Sequence, residues 1–134
     1  MANPYLAEIR MFPGNFAPAG WALTNGQLIP ISQNTALFSL VGTYYGGNGT
    51  SNFALPDLRS RMPMHVGQGS GLSPRVIGQT GGVESVTLQV TALPSSPASP
   101  VNASVGFRPQ VQTVSPFLVL NFIIAQQGIF PSRN

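Results

Sequence analysis

The chain is poor in groups that do acid–base chemistry: three carboxylates, Glu8, Asp57 and Glu84, and one histidine, His65. Hydrolysis by paired carboxylates needs two acids that converge with pKa values set apart. Asp57 instead sits in Leu55-Pro56-Asp57-Leu58-Arg59, with Arg61 close behind, so its better use is an ion pair with Arg59 or Arg61. That pair is expected to lock the segment Phe53–Arg61. Glu8 and Arg10 fall on one face of an alternating stretch and are expected to pair with neighbours or another subunit; Glu84 does likewise near a turn. His65 has no local nucleophile or acid to build a triad. A threefold assembly would turn it into three histidines, enough to ligate a metal on an axis, but a packed or exposed histidine is the ordinary reading. No catalytic residue, metal or other cofactor is expected.

The glycine-rich stretches carry no phosphate chemistry. Gly46-Gly47-Asn48-Gly49 lacks the Gly-Lys-Ser/Thr ending and the strand-to-helix setting of a phosphate loop. Gly67-Gln68-Gly69-Ser70-Gly71 has no following helix. Among aromatics, Trp21 lies in an apolar strand and reads as core. Tyr44 and Tyr45 lie in a glycine-rich loop and are candidate glycan contacts. Asn121, inside the apolar run Phe117–Ile124, must be hydrogen-bonded, since a lone buried amide is costly; a polar ring about a threefold axis would satisfy it.

Composition narrows the function class. The chain has 134 residues, 43% of them hydrophobic and 7% charged, against about a quarter charged in ordinary soluble domains. Fifteen glycines and thirteen prolines imply many turns and short strands. Surface so poor in charge implies burial between subunits. The net charge of +3 comes from arginines spread singly, not from the clustered stripe that nucleic acid requires. There are no cysteines, so disulfides and thiolate chemistry are excluded. No basic region followed by an apolar core opens the chain, which reads as no signal peptide and synthesis in the cytoplasm. Phe117–Ala125 is half the length of ~20 residues that a membrane helix needs, so no membrane insertion is expected.

The elements that must position these residues read as mainly β with one short helix. Tyr5–Phe12 alternates, with Tyr5, Ala7, Ile9 and Met11 on the apolar face, and Pro13-Gly14 ends it. Asn25-Gly26 between Trp21-Ala22-Leu23 and Leu28-Ile29 predicts a hairpin. Ser32 is placed to cap a helix through Val41, with Leu37, Leu40 and Val41 on one face and Gly42 as the stop. Phe53–Arg59 reads as an irregular apolar segment. Val83–Val90 predicts a half-buried strand, and Leu93–Pro100 a stiff arm. Phe117–Ile124 is apolar on both faces. Its residues Phe117, Val119, Asn121, Phe122 and Ile124 are the expected trimer core.

Several ordered stretches resemble the phage tail-collar family, close to the microcystin-dependent proteins of bacteria. They include Tyr5-Leu6-Ala7-Glu8-Ile9-Arg10, Gly20-Trp21-Ala22-Leu23, Asn25-Gly26-Gln27-Leu28, Asn34-Thr35-Ala36-Leu37-Phe38-Ser39-Leu40, Gly42-Thr43-Tyr44-Tyr45-Gly46-Gly47 and Phe53-Ala54-Leu55-Pro56-Asp57-Leu58-Arg59. The ending Leu120–Ala125 with Gly128–Arg133 is also similar, so the likeness covers 4–90 and 116–134. It implies an intertwined homotrimer at the cell-contacting end of a tail or injection device, with other tail, fibre or baseplate proteins as partners. Longer relatives carry paired histidines after the strand corresponding to Val83–Val90; Ser95, Ser96 and Ser99 stand there here. The insertion that follows is reduced to Pro100–Ser115, which favours a connector role over receptor binding.

The expected organisation is a collar domain over 1–92, a Pro/Ser-rich arm or shortened insertion over 93–115, and a C-terminal strand over 116–134 that packs back on the trimer. The expected function is a non-enzymatic structural subunit of a virion tail or extracellular injection system. The alternatives are an adhesin binding cell-surface glycan through Tyr44-Tyr45 or the Gly67–Gly82 loop, and a self-polymerising extracellular fibre.

Overall fold

The structure, a computed structural model, describes residues 3–88 and 110–133. The chain divides into two compact units, one of residues 1–79 with 119–134 and one of residues 80–118. The first unit holds β1 (Ile9–Phe12), β2 (Trp21–Leu23), β3 (Leu28–Pro30), α1 (Thr35–Val41), β4 (Asn52–Ala54) and β7 (Asn121–Ala125). The second holds β5 (Ser85–Thr87) and β6 (Gln110–Gln112). Mainly β with one α-helix is thus the fold class among the described residues.

β7 is the middle strand of a three-stranded antiparallel sheet, β1-β7-β2. Ile9 faces Ile124 on one side and Ala22 faces Ile124 on the other. A strand flanked on both sides with both faces in use carries a continuous apolar run, which is why Phe-Ile-Ile-Ala is uninterrupted. Ile123 and Ile124 are 4% and 1% exposed. The core joins this sheet to the pair β3-β4 and to α1: Leu6, Ala22, Ile29, Leu37, Val41, Phe53, Leu55 and Ile124 pack in one cluster. The Phe38 and Phe53 rings meet at 5.3 Å. Each fully buried Leu, Ile or Phe contributes about 1.5–3 kcal/mol.

Four local expectations give way to tertiary pairing. The Asn25-Gly26 hairpin does not form, because β2 pairs with β7 and β3 with β4. Asn25 bridges to Asp57 instead, and its Oδ1 accepts the Gln27 N–H at 3.3 Å. The turn is real, but it passes the chain between two sheets. Strand β1 is shorter than Tyr5–Phe12. The Glu8 N–H donates to the Tyr5 carbonyl at 3.0 Å and Ala7 takes φ 71°, so a turn breaks the alternation. Leu6 is consequently buried, while Ile9 and Met11, placed on the core face by periodicity, are exposed.

The helix starts at Thr35. Ile31–Gln33 form a 3-10 turn and Asn34, not Ser32, stands at the N-cap. The Asn34 Nδ2 donates to the Pro30 carbonyl at 2.9 Å, tying the 3-10 turn to the helix start. Gly42, at φ 57°, ends the helix as expected and donates to the Phe38 carbonyl. The segment read as irregular contains β4, whose Phe53 is fully buried.

In the second unit β5 and β6 pair antiparallel with Val86 opposite Val111. Both valines are exposed, so neither face of this two-stranded ribbon is a core. The Thr113 N–H donates to the Glu84 carbonyl at 2.9 Å and its Oγ1 to the Val83 carbonyl at 2.5 Å. Val90, the Leu93–Pro100 arm and Ser95, Ser96 and Ser99 lie outside the described residues.

Candidate functional site

Asp57 is the best-organised polar centre of the chain. It follows Leu55 and Pro56, both buried, and is held against the Asn25-Gly26 turn. The Gly26 N–H donates to the Pro56 carbonyl at 3.2 Å and the Leu58 N–H to the Thr24 carbonyl at 3.0 Å. Asp57 Oδ1 accepts the Arg59 backbone N–H at 3.2 Å and Arg59 Nε at 2.8 Å; Oδ2 accepts Arg59 Nη2 at 2.9 Å. Arg61 Nη1 lies 3.4 Å from Oδ2 and donates to the Asp57 carbonyl at 3.3 Å. The structure therefore brings Asp57, Arg59 and Arg61 together.

The Arg59 fork, with the Arg59 backbone N–H and the Arg61 charge, holds the Asp57 carboxyl well below the usual carboxylate range. A carboxyl so held cannot donate a proton near neutrality. The Arg59 side chain is 71% exposed, so water screens the pair and its contribution is that of a surface pair. Its work is local: it fixes the turn Asp57–Arg61, in which Ser60 takes φ 55°.

Glu8 is engaged in the same way. Its two oxygens take Arg10 Nε and Nη2 at 3.1 Å each, and Oε2 also accepts the Tyr5 N–H at 3.0 Å. The Arg10 fork holds its carboxyl below the ordinary value. The Arg10 guanidinium sits 5.3 Å over the half-buried Trp21 ring, so Trp21 is covered by a cation and by the sheet. His65 is exposed, with Nδ1 2.7 Å from the Val66 carbonyl. Among the described residues, no three His, Cys, Asp or Glu side chains gather as a metal site would. Among the described residues, no helix is long and apolar enough to cross a membrane.

The two tyrosines part company. Tyr45 packs against the core, and burial pushes its hydroxyl above its ordinary pKa. Tyr44 is exposed. Both line a hollow of about 180 Å³ with Ala7, Ile9, Leu40, Val41, Pro56, Ile77 and Ile124. Apart from the tyrosine hydroxyls every lining side chain is apolar, which offers a sugar few of the fixed polar groups that orient one.

The residues assigned to a trimer core are distributed differently within one chain. Ile124 is buried among its own chain's side chains. Asn121 is half-buried, and its Nδ2 donates to the Gly14 carbonyl at 2.6 Å. Phe122 is half-buried, and its carbonyl accepts both the N–H and Oγ1 of Thr24 at 3.0 Å. Phe117 and Val119 are 75% and 77% exposed, and Leu118 between them 85%.

One exposed apolar set escaped the sequence reading. Met62, Met64 and Val66 are 87%, 73% and 51% exposed. The signal was present as apolar residues at every second position across Met62-Pro63-Met64-His65-Val66. Every residue from Arg59 to Ile77 is exposed, so this chain offers that segment no core of its own.

No curated protein matches the chain. Residues 7–63, from the turn before β1 through the Asp57 clamp, match the family model of the Phage Tail Collar Domain. Across those residues, which are under half of the chain, the sequence is similar to the phage tail collar domain, a structural family of phage tails.

Proposed function

We propose that the chain is a homotrimeric structural subunit of a phage-tail-like fibre or injection-system tip, acting as a connector without catalysis. The observation that carries this reading is the amount of large apolar side chain that a single chain leaves uncovered, chief among it Met62, Met64, Phe117, Leu118 and Val119. They fall in two short runs, Met62–Met64 and Phe117–Val119, and exposed apolar runs of this kind are characteristic of surfaces used for association. The low charge fits the same reading, since a surface destined for burial gains nothing from lysine and glutamate. The partners are two further copies and neighbouring tail, fibre or baseplate proteins. The place of action is a virion tail or an extracellular assembly.

Size exclusion with light scattering tests the oligomer. A species of three chains is expected. A soluble, folded species of 14.1 kDa overturns the proposal.

A further inference from the structure

The stretch 59–77 has no core beneath it, yet it is closed on itself. Gly67 and Arg75 exchange backbone hydrogen bonds at 2.9 Å, and the Leu72 N–H donates to the Gly69 carbonyl at 3.0 Å. Residues 61–65 lead into this loop with neither turn nor bend. Val66 forms the bend that follows; an extended conformation, in which alternate residues share a face, would put Met62 and Met64 on one side with Val66 at its end. Their backbone groups also point to one edge. The amides of Met62, Met64 and Val66 find no acceptor among the described residues. The opposite edge contains Pro63, which has no N–H to give and so disables that side for a ladder. Met62–Val66 is not part of any strand of its own chain, and in an extended form it would offer a ladder one competent edge, on which the Val66 carbonyl alone is contacted, by His65 Nδ1.

The sheet β1-β7-β2 has two outer edges. That of β2 is blunted: the Trp21 N–H is taken by the Pro18 carbonyl at 3.0 Å, and the Leu23 carbonyl by Gln27 Nε2 at 3.0 Å. That of β1 is open. No hydrogen bond outside the ladder with β7 engages the backbone of Ile9–Phe12 among the described residues, and Ile9 and Met11 are exposed beside it. An exposed apolar edge is a template for another strand.

We propose that Met62–Val66 of one copy adds as a strand to the outer edge of β1 of a second copy, with Met62, Met64 and Val66 flanking Ile9 and Met11. This rests on the homotrimer reading above and names the surfaces that join the copies. A second copy is the occupant because donor strand and acceptor edge are two different patches of the same chain. A contact between unlike patches is head-to-tail; repeated, it closes into a ring that leaves neither patch bare when the rotation between copies closes, and grows a filament when it does not. A twofold pair would need one patch complementary to itself, and Pro63 leaves Met62–Val66 one usable edge already committed to β1.

The chain has no cysteine, so an engineered disulfide reports one contact only. Met11→Cys is combined in turn with Met62→Cys, Met64→Cys and Val66→Cys, each purified at native size and oxidised with diamide. Covalent trimers from at least one pair, and none from the single variants, are expected. Peroxide footprinting of the unaltered protein guards against variants that fail to fold. Met11, Met62 and Met64 are expected to oxidise at least about tenfold more slowly in the native assembly than in urea, because sulfoxide formation follows access. Trimers by light scattering that yield no covalent trimer from any pair, with these methionines oxidised at the unfolded rate, overturn the inference and leave the homotrimer standing. A monomer by light scattering overturns both.

Discussion

Replacing Gly47 and Gly71 each by alanine separates two costs that usually travel together. Both glycines have positive φ, 90° and 73°, so a Cβ at either is strained by about 1–2 kcal/mol. The space around them differs. A Cβ at Gly71 meets nothing within 4 Å, whereas at Gly47 it lies 2.4 Å from Phe53 Cα and 3.0 Å from the Ala54 nitrogen. Those atoms are backbone of β4, whose Phe53 is fully buried against Phe38, so the strand must shift and take the core with it. Overpacking of this kind adds about 1–3 kcal/mol. Gly71→Ala is therefore expected to cost no more than about 2 kcal/mol and Gly47→Ala about 2–5 kcal/mol. Urea unfolding at one fixed protein concentration, followed by the fluorescence of Trp21, the chain's single tryptophan, measures both. Equal shifts in the two variants would refute the claim that the loop before β4 is seated on the Phe53 backbone.

Two further outcomes follow from the clamp and from Thr24. Asp57→Asn is expected to destabilise the protein modestly at pH 7. Because the folded-state carboxyl is held below its ordinary value of 3.8, the ion pair's contribution is fully present above that value and fades as pH falls below about 4. Melting curves of both proteins should therefore converge in acid, and a gap that stays constant down to pH 2 argues against an ionic origin. Thr24→Val removes the Oγ1 donor from the Phe122 carbonyl while keeping the backbone donor, and is expected to cost about 1 kcal/mol, read by the same urea titration.

The β-rich class, the helix stop at Gly42 and the ion-pairing partners of Asp57 were readable because each is written within a few residues. What local pattern could not give was partnership. Asn25-Gly26 carries the proper turn chemistry, but β2 finds a better partner in Phe122-Ile123-Ile124-Ala125 than in β3, and nothing near residue 25 records this. The alternation of Tyr5–Phe12 failed at Ala7, where a non-glycine residue at positive φ shifts the phase. Periodicity also placed Ile9 and Met11 inward, although the described residues of one chain leave both exposed. The run Phe117–Ile124 was apolar for two reasons that sequence merges into one: Ile123 and Ile124 fill their own chain's core, while Phe117 to Val119 stand outside it. Met62, Met64 and Val66 were overlooked because a proline interrupts them, and a proline is usually a mark against a strand rather than a choice of its edge.

The place of β7 bears on how the protein is made. β1 and β2 leave the ribosome early, yet the strand that joins them pairs Ile9 with Ile124, so the first unit's sheet cannot close until residue 125 has been translated. Until then Leu6 and Ala22 have no lid, and the nascent chain exposes apolar segments that chaperones bind. Contacts spanning so much sequence also close slowly. Closure of that sheet therefore waits for β7 to leave the ribosome, and a ribosome that stalls before residue 121 releases a product without its central strand, fit for degradation rather than for assembly.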